Sequence, residues 1–231
     1  MNSINVNNRT VKDIKTALWN EINHVLLDMD GTLFDKHFDD YFWGFLVPEK
    51  YALKHNITAN NAKDELYSKY KSLEGTLLWT NIDYWSEELD LDIPALKEQI
   101  NHMLEAHPYV EEFLIELKNH NKKVILATNA HYKTINIKMQ KIALNTYFDD
   151  IITSADMGCP KEDLRYWQNA HSKLSFDNNK TLFIDDTPEC IDSAQRFGIK
   201  YCLVKDMANS KRHEPSCSKF LSFKDFSELL P

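Results

Sequence analysis

Two aspartates, Asp28 and Asp30, follow an apolar run and are the residues best placed to do chemistry. The run 25–27 predicts a strand buried on both faces, and Gly31 suits the sharp turn that leaves it. Side chains two residues apart in a strand point to the same side, roughly 6 to 7 Å apart, so we expect the two carboxylates to share a face. Because like charges repel each other in apolar surroundings, a cation should lie beside them.

The cation that best fits two neighbouring aspartates is Mg²⁺, which proteins usually hold with one or two carboxylates, several waters and a substrate phosphate. The D-x-D-G pattern also begins calcium-binding loops. Such a loop needs a glutamate at its twelfth position, which is Tyr41 here when the count starts at Asp30. A solvated turn rich in aspartate is the alternative that needs no metal.

Polar residues also end two other predicted strands. Thr128 and Asn129 end one of them, and Asp185 and Asp186 end another. Ligands of parallel α/β sheets bind beyond the carboxyl ends of the strands, so we expect these side chains to gather at one site. Thr128 and Asn129 stand where a helix can begin, and a hydroxyl and backbone N–H groups there can hold a phosphate. Lys161 follows a third strand and can add positive charge, although each of these residues alone is also common as a cap, a turn or a surface charge.

The order of predicted elements favours an α/β fold with a doubly wound parallel sheet, because apolar strands alternate with amphipathic helices. Five strands are predicted, at 25–27, 123–127, 150–153, 181–184 and 200–204. Helices are predicted at 10–18, 110–117, 135–142, 162–171 and 223–230. Thr187, Pro188 and Glu189 have the residue types of an N-cap, a first helical position and a first turn, so another helix should begin there. Segment 206–217 is predicted to be a loop.

A long insertion separates the first predicted strand from the helix that leads to the second. Connections of this kind usually have about two to six residues, whereas here residues 35–106 intervene. We therefore predict a core domain of residues 1–34 and 107–231 and an inserted helical cap domain of residues 35–106. The cap should lie directly above the carboxylates.

Four apolar stripes with helical spacing predict four short helices in this insertion. The stripes are Phe38, Tyr41, Phe42, Phe45 and Leu46; Ala62, Leu66, Tyr70 and Leu73; Leu78, Ile82, Trp85 and Leu89; and Leu96, Ile100, Met103 and Leu104. Pro48 and Pro94 are expected near helix ends. Trp43, Trp79 and Trp85 either form the core of the bundle or face a ligand.

The composition predicts a globular protein that does not bind nucleic acid. Of the 231 residues 43% are hydrophobic, the net charge is −8 and no lysine-rich run offsets it. Residues 1–9 lack the apolar core of a signal peptide, and no apolar run reaches about 18 residues, so we expect a soluble, cytoplasmic protein without a membrane partner. Cysteines 159, 190, 202 and 217 lack C-x-x-C spacing and should be free thiols. The sequence carries no signal for an oligomeric state.

These residues together resemble the four motifs of the haloacid dehalogenase superfamily, in its phosphatase branch. Residues 28–32 match the first motif, Thr128 the second, Lys161 the third, and Asp185 with Asp186 the fourth. The insertion is similar to the helical cap of that superfamily.

The sequence differs from the superfamily pattern at one motif and is more closely similar to one group within the superfamily. The superfamily often has proline after its lysine, whereas Pro160 precedes Lys161 here. Residues similar to the bacterial GMP/IMP nucleotidases of the superfamily are found at 38–43, 83–87, 160–163 and 181–204.

The resemblance implies a mechanism with two aspartates in different roles. Asp28 attacks phosphorus to give an aspartyl-phosphate, while Asp30 protonates the leaving alkoxide and later activates water. An aspartate starts from a pKa of about 3.9, so burial or charged neighbours must raise the pKa of Asp30 if it is to act as an acid near neutral pH.

The resemblance also implies ligands for Mg²⁺ and for the phosphate. The metal is bound by the Asp28 carboxylate, the Asp30 backbone carbonyl and Asp186, with Asp185 close by. Lys161, together with Thr128, Asn129 and the amides after Thr128, binds the phosphate.

The substrate implied by the resemblance is a purine nucleoside 5′-monophosphate, GMP or IMP. A phosphatase for another small monoester, such as phosphoglycolate or a sugar phosphate, is the first alternative. A fold that binds a nucleotide without turnover is a second, although the intact Asp28 and Asp30 argue against it. A dehalogenase is disfavoured because that branch differs at the position of Asp30.

Overall fold

The computed structural model describes residues 9–212 and 219–231. In this part of the chain six parallel strands form one sheet in the order β3-β2-β1-β4-β5-β6. The strands are β1 His24–Leu27, β2 Lys123–Thr128, β3 Asp150–Thr153, β4 Thr181–Asp185, β5 Tyr201–Lys205 and β6 Ser222–Phe223. The predicted doubly wound α/β fold is therefore confirmed. The short edge strand β6 was not predicted.

Eleven α-helices occur among the described residues. They are α1 Val11–Asn20, α2 His37–Tyr41, α3 Val47–His55, α4 Ala59–Leu73, α5 Ile82–Leu89, α6 Ile93–Gln99, α7 Val110–Asn119, α8 Tyr132–Lys141, α9 Ser154–Met157, α10 Leu164–Leu174 and α11 Pro188–Phe197. A π-helical segment, Phe42–Leu46, joins α2 to α3. No helix in the described ranges is both long and apolar enough to cross a bilayer.

The central strand β1 is apolar because both of its faces are buried. Val25 and Leu27 pack into one hydrophobic cluster, and Leu26 packs into the cluster on the other side of the sheet. Leu27 is in register with Leu126 of β2 and with Ile184 of β4. The carboxyl ends of β1, β2 and β4 therefore meet at one edge, where ligands of such sheets bind.

The segment between β1 and α7 leaves the sheet and returns to it at adjacent points. The backbone N–H of Asp35 donates to the carbonyl of Glu105, and that of His107 donates to the carbonyl of Leu33, each at 2.9 Å. We call residues 35–106 the insertion. Its assignment as a separate cap domain stays a prediction.

The first stripe of the insertion differs from the prediction. Phe38 and Phe42 are fully buried, but Phe45 is 54% exposed. A π-helical turn holds more residues than an α-helical turn, so the segment 42–46 rotates Phe45 away from the apolar stripe. Pro48 lies in the first turn of α3, near a helix end as expected.

Other helix boundaries in the structure also differ from the predicted ones. Leu78 precedes α5, whose N-cap is Asn81, and Met103 lies in a short 3₁₀ segment, Asn101–Met103. The predicted closing helix is only a 3₁₀ turn, Phe226–Leu229. Part of the predicted loop 206–217 lies outside the described residues, and Cys217 lies in that part. Cys159, Cys190 and Cys202 are free and buried, as predicted.

Candidate active site

Three aspartates at the carboxyl edge of the sheet form an acidic cluster. Asp28, Asp185 and Asp186 each offer a carboxylate oxygen, and these oxygens lie within 4.8 Å of one another. The pairing of β1 with β4 continues past Leu27, since the N–H of Asp28 donates to the carbonyl of Ile184 at 2.9 Å. The register of the two strands therefore brings the predicted first and fourth motifs together.

Lys161 lies inside this cluster. Its ammonium contacts Asp28 and donates to Asp185 at 2.7 Å, and the residue is only 2% exposed. The backbone around it is fixed on both sides. The N–H of Lys161 donates to the side chain of Asn129 at 2.9 Å, and its carbonyl accepts a bond from Trp167 at 3.0 Å. Lys161 therefore reaches the acidic cluster although Pro160 precedes it.

Burial and mutual repulsion set the charge of the cluster. Burial raises the pKa of Asp28 and of Asp185, and the Lys161 ammonium opposes this change in both. Burial disfavours the charged form of Lys161, but Asp185 and Asp28 outweigh it and raise the pKa of the lysine. Lys161 is thus held as a fixed cation, and the cluster still holds more carboxylates than Lys161 can neutralise.

The sharp turn after β1 explains why glycine occupies position 31. Gly31 has a φ of 89°, which side-chain-bearing residues rarely adopt, and a Cβ there would lie 2.5 Å from an Asp186 carboxylate oxygen. The turn therefore packs directly against Asp186. Lys36, a few residues later, donates to the same carboxylate at 2.6 Å.

The acidic cluster fits a hard divalent cation. Its three carboxylates supply oxygen ligands, which Mg²⁺ prefers, and the close packing of Gly31 fixes the position of Asp186. The side chain of Asp30 does not belong to the cluster, so only its backbone carbonyl remains as the predicted ligand.

The Asp30 carboxylate instead contacts Lys138 of α8. Lys138 is fully buried and also contacts Asp39 of α2, which in turn accepts a bond from Lys97 of α6 at 2.8 Å. Burial raises the pKa of Asp30, and the Lys138 ammonium lowers it by a smaller amount. A raised pKa is the direction that a general acid working near neutral pH requires.

Thr128 and Asn129 lie at the end of β2, where they were predicted, but their side chains form hydrogen bonds to other protein groups. Thr128 is 1% exposed, and its hydroxyl accepts the N–H of Ala130 at 3.0 Å. The Asn129 amide bonds to Lys161 and to Glu162. Helix α8 begins only at Tyr132, not directly after Asn129. In this arrangement the Asn129 side chain positions the loop that carries Lys161, and its contact with phosphate stays a prediction.

A cavity of about 610 Å³ lies next to Asp30, between the insertion and the residues that lead into α8. Trp43, Trp79 and Trp85, the three tryptophans considered as ligand-facing, all line it, together with Tyr70 and, from the other side, His131. The Tyr70 hydroxyl and His131 Nδ1 are buried without a hydrogen-bond partner among the described residues. The cavity therefore has aromatic walls next to the Asp30 carboxylate, and two of its lining residues carry a buried polar atom without a hydrogen-bond partner among the described residues.

Lys138, Lys97 and Asp39 were missed by the sequence prediction, although a signal for the lysines exists. Lys138 lies at helical spacing between the apolar residues Ile135 and Ile142, and Lys97 follows Ile93 by four residues. A lysine on the apolar face of a predicted helix needs a buried carboxylate partner. No such argument identifies the partner from sequence.

The family model for haloacid dehalogenase-like hydrolases matches residues 25–204, which include all four motifs and the insertion. The chain belongs to this family. It is therefore a hydrolase, and its relatives place it among the superfamily's phosphatases.

Individual relatives agree with the family assignment. The chain is 37% identical over 213 residues to the GMP/IMP nucleotidase YrfG of Escherichia coli (strain K12), covering 92% of this chain and 96% of that protein. The HAD phosphatase structure from Thermococcus onnurineus superposes with a TM-score of 0.76 at 20% identity, covering 90% of this chain and 96% of that one.

A second superposition involves a metal-bound relative. The HAD-hydrolase YfnB of Bacillus subtilis, whose structure is described as bound to magnesium, superposes with a TM-score of 0.60 at 15% identity. It covers 91% of this chain and 97% of that chain. At these identities both structures show a shared fold.

Proposed function

We propose that this haloacid dehalogenase-like hydrolase is a Mg²⁺-dependent phosphatase that hydrolyses purine nucleoside 5′-monophosphates, GMP and IMP, through a phosphorylated Asp28. The observation that carries the substrate is the 37% identity to a GMP/IMP nucleotidase over nearly the whole of both chains. The observation that carries the chemistry is the cluster of Asp28, Lys161, Asp185 and Asp186. Lys36, which lines the cavity, joins the two through its bond to Asp186. We also propose that the insertion is the cap that closes over this cluster.

In the proposed first step, a carboxylate oxygen of Asp28 attacks phosphorus, and the bond from phosphorus to the ester oxygen breaks. Asp30 gives its proton to the departing oxygen, so the nucleoside leaves as a neutral alcohol. Lys161 holds the Asp28 carboxylate in place and neutralises charge on the phosphoryl oxygens.

In the second step, water attacks the phosphorus of the aspartyl-phosphate and Asp30 accepts its proton. The acyl phosphate bond breaks, inorganic phosphate leaves, and Asp28 is a carboxylate again. Asp28, Asp185 and Asp186, with the Asp30 carbonyl, would hold Mg²⁺, which supplies charge neutralisation for the phosphoryl group when bound.

The cavity supports a nucleotide as substrate because its walls match a nucleobase. Flat aromatic side chains such as Trp43 and Trp79 can stack on a purine. A small ester such as phosphoglycolate would leave most of about 610 Å³ unfilled.

A substrate panel tests this proposal. We expect kcat/KM with Mg²⁺ to be at least about 10-fold higher for GMP and IMP than for phosphoglycolate or glucose 6-phosphate, a difference of about 1.4 kcal/mol. Asp28→Asn is the matched control and should release no phosphate. A preference for the sugar phosphate contradicts the proposed substrate class. Equal phosphate release by wild type and Asp28→Asn contradicts the proposed attack by Asp28.

A further inference from the structure

We propose that Lys138 is the positioning residue that aims the Asp30 carboxylate at the departing oxygen, and that it is itself held by Asp39 of the insertion. The inference rests on the proposed function, because it assigns the support for one of its reacting groups. The contacts of the Lys138 ammonium with both carboxylates carry it.

Asp30 needs such support because it lies in a turn. Strand β1 ends at Leu27, and the Asp30 side chain is 27% exposed at the cavity. An aspartate on a turn next to an open cavity has several rotamers available, and only some of them point its carboxylate at a bound phosphate ester. Lys138 comes from the regular helix α8 and is fully buried, so its contact selects one of these rotamers.

The Lys138 ammonium is fixed by a second contact on its other side. Asp39 binds both Lys138 and Lys97, and the ammonium groups of these two lysines lie 5.1 and 5.2 Å from the centre of the Phe38 ring. Burial disfavours ionisation of Asp39, but the two lysines outweigh it and hold the pKa of Asp39 below its usual range. Asp39 thus remains an anion that anchors Lys138.

A purely structural role would look different. An ion pair that only attaches the insertion to the core needs Lys138 and Asp39, and it gives no reason for contact with Asp30. Lys97 shows what a purely structural contact looks like, because it bonds to Asp39 within the insertion and no bond joins it to Asp30 among the described residues. Lys97→Met is therefore the matched control for Lys138→Met, since both remove a buried ammonium from the same carboxylate.

The test compares two aryl esters of similar size. The leaving group of 4-nitrophenyl phosphate departs without a proton, whereas that of phenyl phosphate needs one from Asp30. The constant kcat/KM reports only the steps through formation of the aspartyl-phosphate. General acids contribute about 10²- to 10⁴-fold, so we expect Lys138→Met to lower kcat/KM for phenyl phosphate at least about 10-fold more than for 4-nitrophenyl phosphate.

Lys97→Met should lower kcat/KM for the two aryl esters by the same factor, within about 2-fold, which corresponds to about 0.4 kcal/mol. Lys138→Arg retains the charge that balances the two aspartates, so it tests the proposal even if Lys138→Met does not fold. For this variant, the ratio of kcat/KM for phenyl phosphate to kcat/KM for 4-nitrophenyl phosphate should lie between the ratios of wild type and Lys138→Met, because a guanidinium places its donors differently from an ammonium.

The outcomes separate the two proposals. A wild type that releases phosphate neither from GMP nor from the two aryl esters contradicts the proposed function, and the role of Lys138 is then rejected with it. An active wild type whose ratio of the two constants is unchanged in Lys138→Met and Lys138→Arg overturns the role of Lys138 and leaves the proposed function standing. The same change of ratio in Lys97→Met also overturns it.

Discussion

At the scale of single residues, the site is organised by lysines that each neutralise particular carboxylates. Lys161 contacts Asp28 and Asp185 with almost no exposure, whereas Lys36 binds Asp186 and its side chain is 38% exposed. Coulombic attraction is strong where water is excluded and weak where it is not. The two lysines should therefore differ greatly in their effect on folding.

Replacement of Lys161 by Met should destabilise the metal-free protein. Without its ammonium, Asp28 and Asp185 lose the buried cation that both of them contact, which costs about 3 to 5 kcal/mol of the free energy of unfolding. Lys36→Met, at a half-exposed position, should cost about 1 kcal/mol or less. Urea unfolding in the presence of a chelator measures both values. Equal losses in the two variants would show that Lys161 does not neutralise the cluster.

His107 should make folding depend on pH. Burial, with a further contribution from Lys205, lowers its pKa from 6.5 to about 4. The folded state therefore keeps this imidazole neutral, while the unfolded state protonates it below pH 6.5. The contribution of neutral His107 to the free energy of unfolding is complete above pH 6.5. It is lost as the pH falls toward 4, by up to about 1.4 kcal/mol per pH unit.

Urea unfolding between pH 7 and pH 4.5 tests this prediction. His107→Asn should reduce the loss of the free energy of unfolding over this range, and His102→Asn, at an exposed position, should leave the loss as in wild type. A pH dependence that is identical in wild type and His107→Asn would contradict the assignment.

At the scale of elements, the carboxyl ends of β1 and β4 build the acidic cluster, and the turn after β1 completes it. The register of Leu27 with Ile184 places Asp28 beside Asp185. Gly31 then lets the chain pass so close to Asp186 that no side chain fits between them. The geometry of the cluster therefore depends on the backbone of this turn as much as on its acids.

Gly31→Ala should weaken metal binding and activity together. The new Cβ would overlap Asp186 and would also require a φ of 89°, so either the turn or the carboxylate must move. We expect the Mg²⁺ concentration for half-maximal activity to rise at least about 10-fold, a loss of about 1.4 kcal/mol. Gly44→Ala is the control, because nothing lies within 4 Å of its added Cβ. An unchanged Mg²⁺ dependence in Gly31→Ala would contradict this view of the turn.

The elements themselves were largely predictable, and the exceptions have physical causes. Strand Asp150–Thr153 has its predicted bounds, β4 extends one residue past its predicted end, and β5 is shifted by one residue. All residues of β4 and β5 are buried, and buried parallel strands are nearly continuous apolar runs. Strand β6, with two residues, is too short to give a pattern. The π-helical segment changes the helical period locally, which a search at the α-helical period cannot detect.

The site was predictable where its residues follow strands, and not where they lie on helices. Asp28 and Asp185 end apolar strands, so the sheet topology alone brings them together. Lys138 was not found because the contact between α8 and the insertion is a tertiary contact between segments distant in sequence. Sequence periodicity reports which face of a helix is buried and not which helix covers it.

At the scale of the whole molecule, the insertion encloses the cavity jointly with residues that follow the strands of the sheet. The aromatic side chains come from the insertion, while Asp30, His131 and Thr134 come from the other side. A substrate that fills this cavity must contact both parts at once. Discrimination between large and small phosphate esters should therefore depend on the insertion, and the chemistry on the sheet.

Trp79→Ala should separate these two contributions. Trp79 lines the cavity and its side chain is partly exposed, so its removal should disturb the bundle little. Loss of one stacking contact of about 1.4 kcal/mol predicts a KM for GMP about 10-fold higher with kcat nearly unchanged. The constants for 4-nitrophenyl phosphate should stay within about 2-fold of wild type, or about 0.4 kcal/mol. Equal effects on both esters would contradict a nucleobase site in the cavity.

The most direct test of the account is detection of the phosphorylated enzyme. Wild-type protein is mixed with Mg²⁺ and substrate, quenched in acid within the first turnovers, and analysed by intact-mass and peptide mass spectrometry. We predict added mass of one phosphoryl group, located on Asp28, and none in Asp28→Asn. Phosphate release by the wild type with no phosphoryl group on Asp28 at any time, together with wild-type turnover by Asp28→Asn, would contradict it.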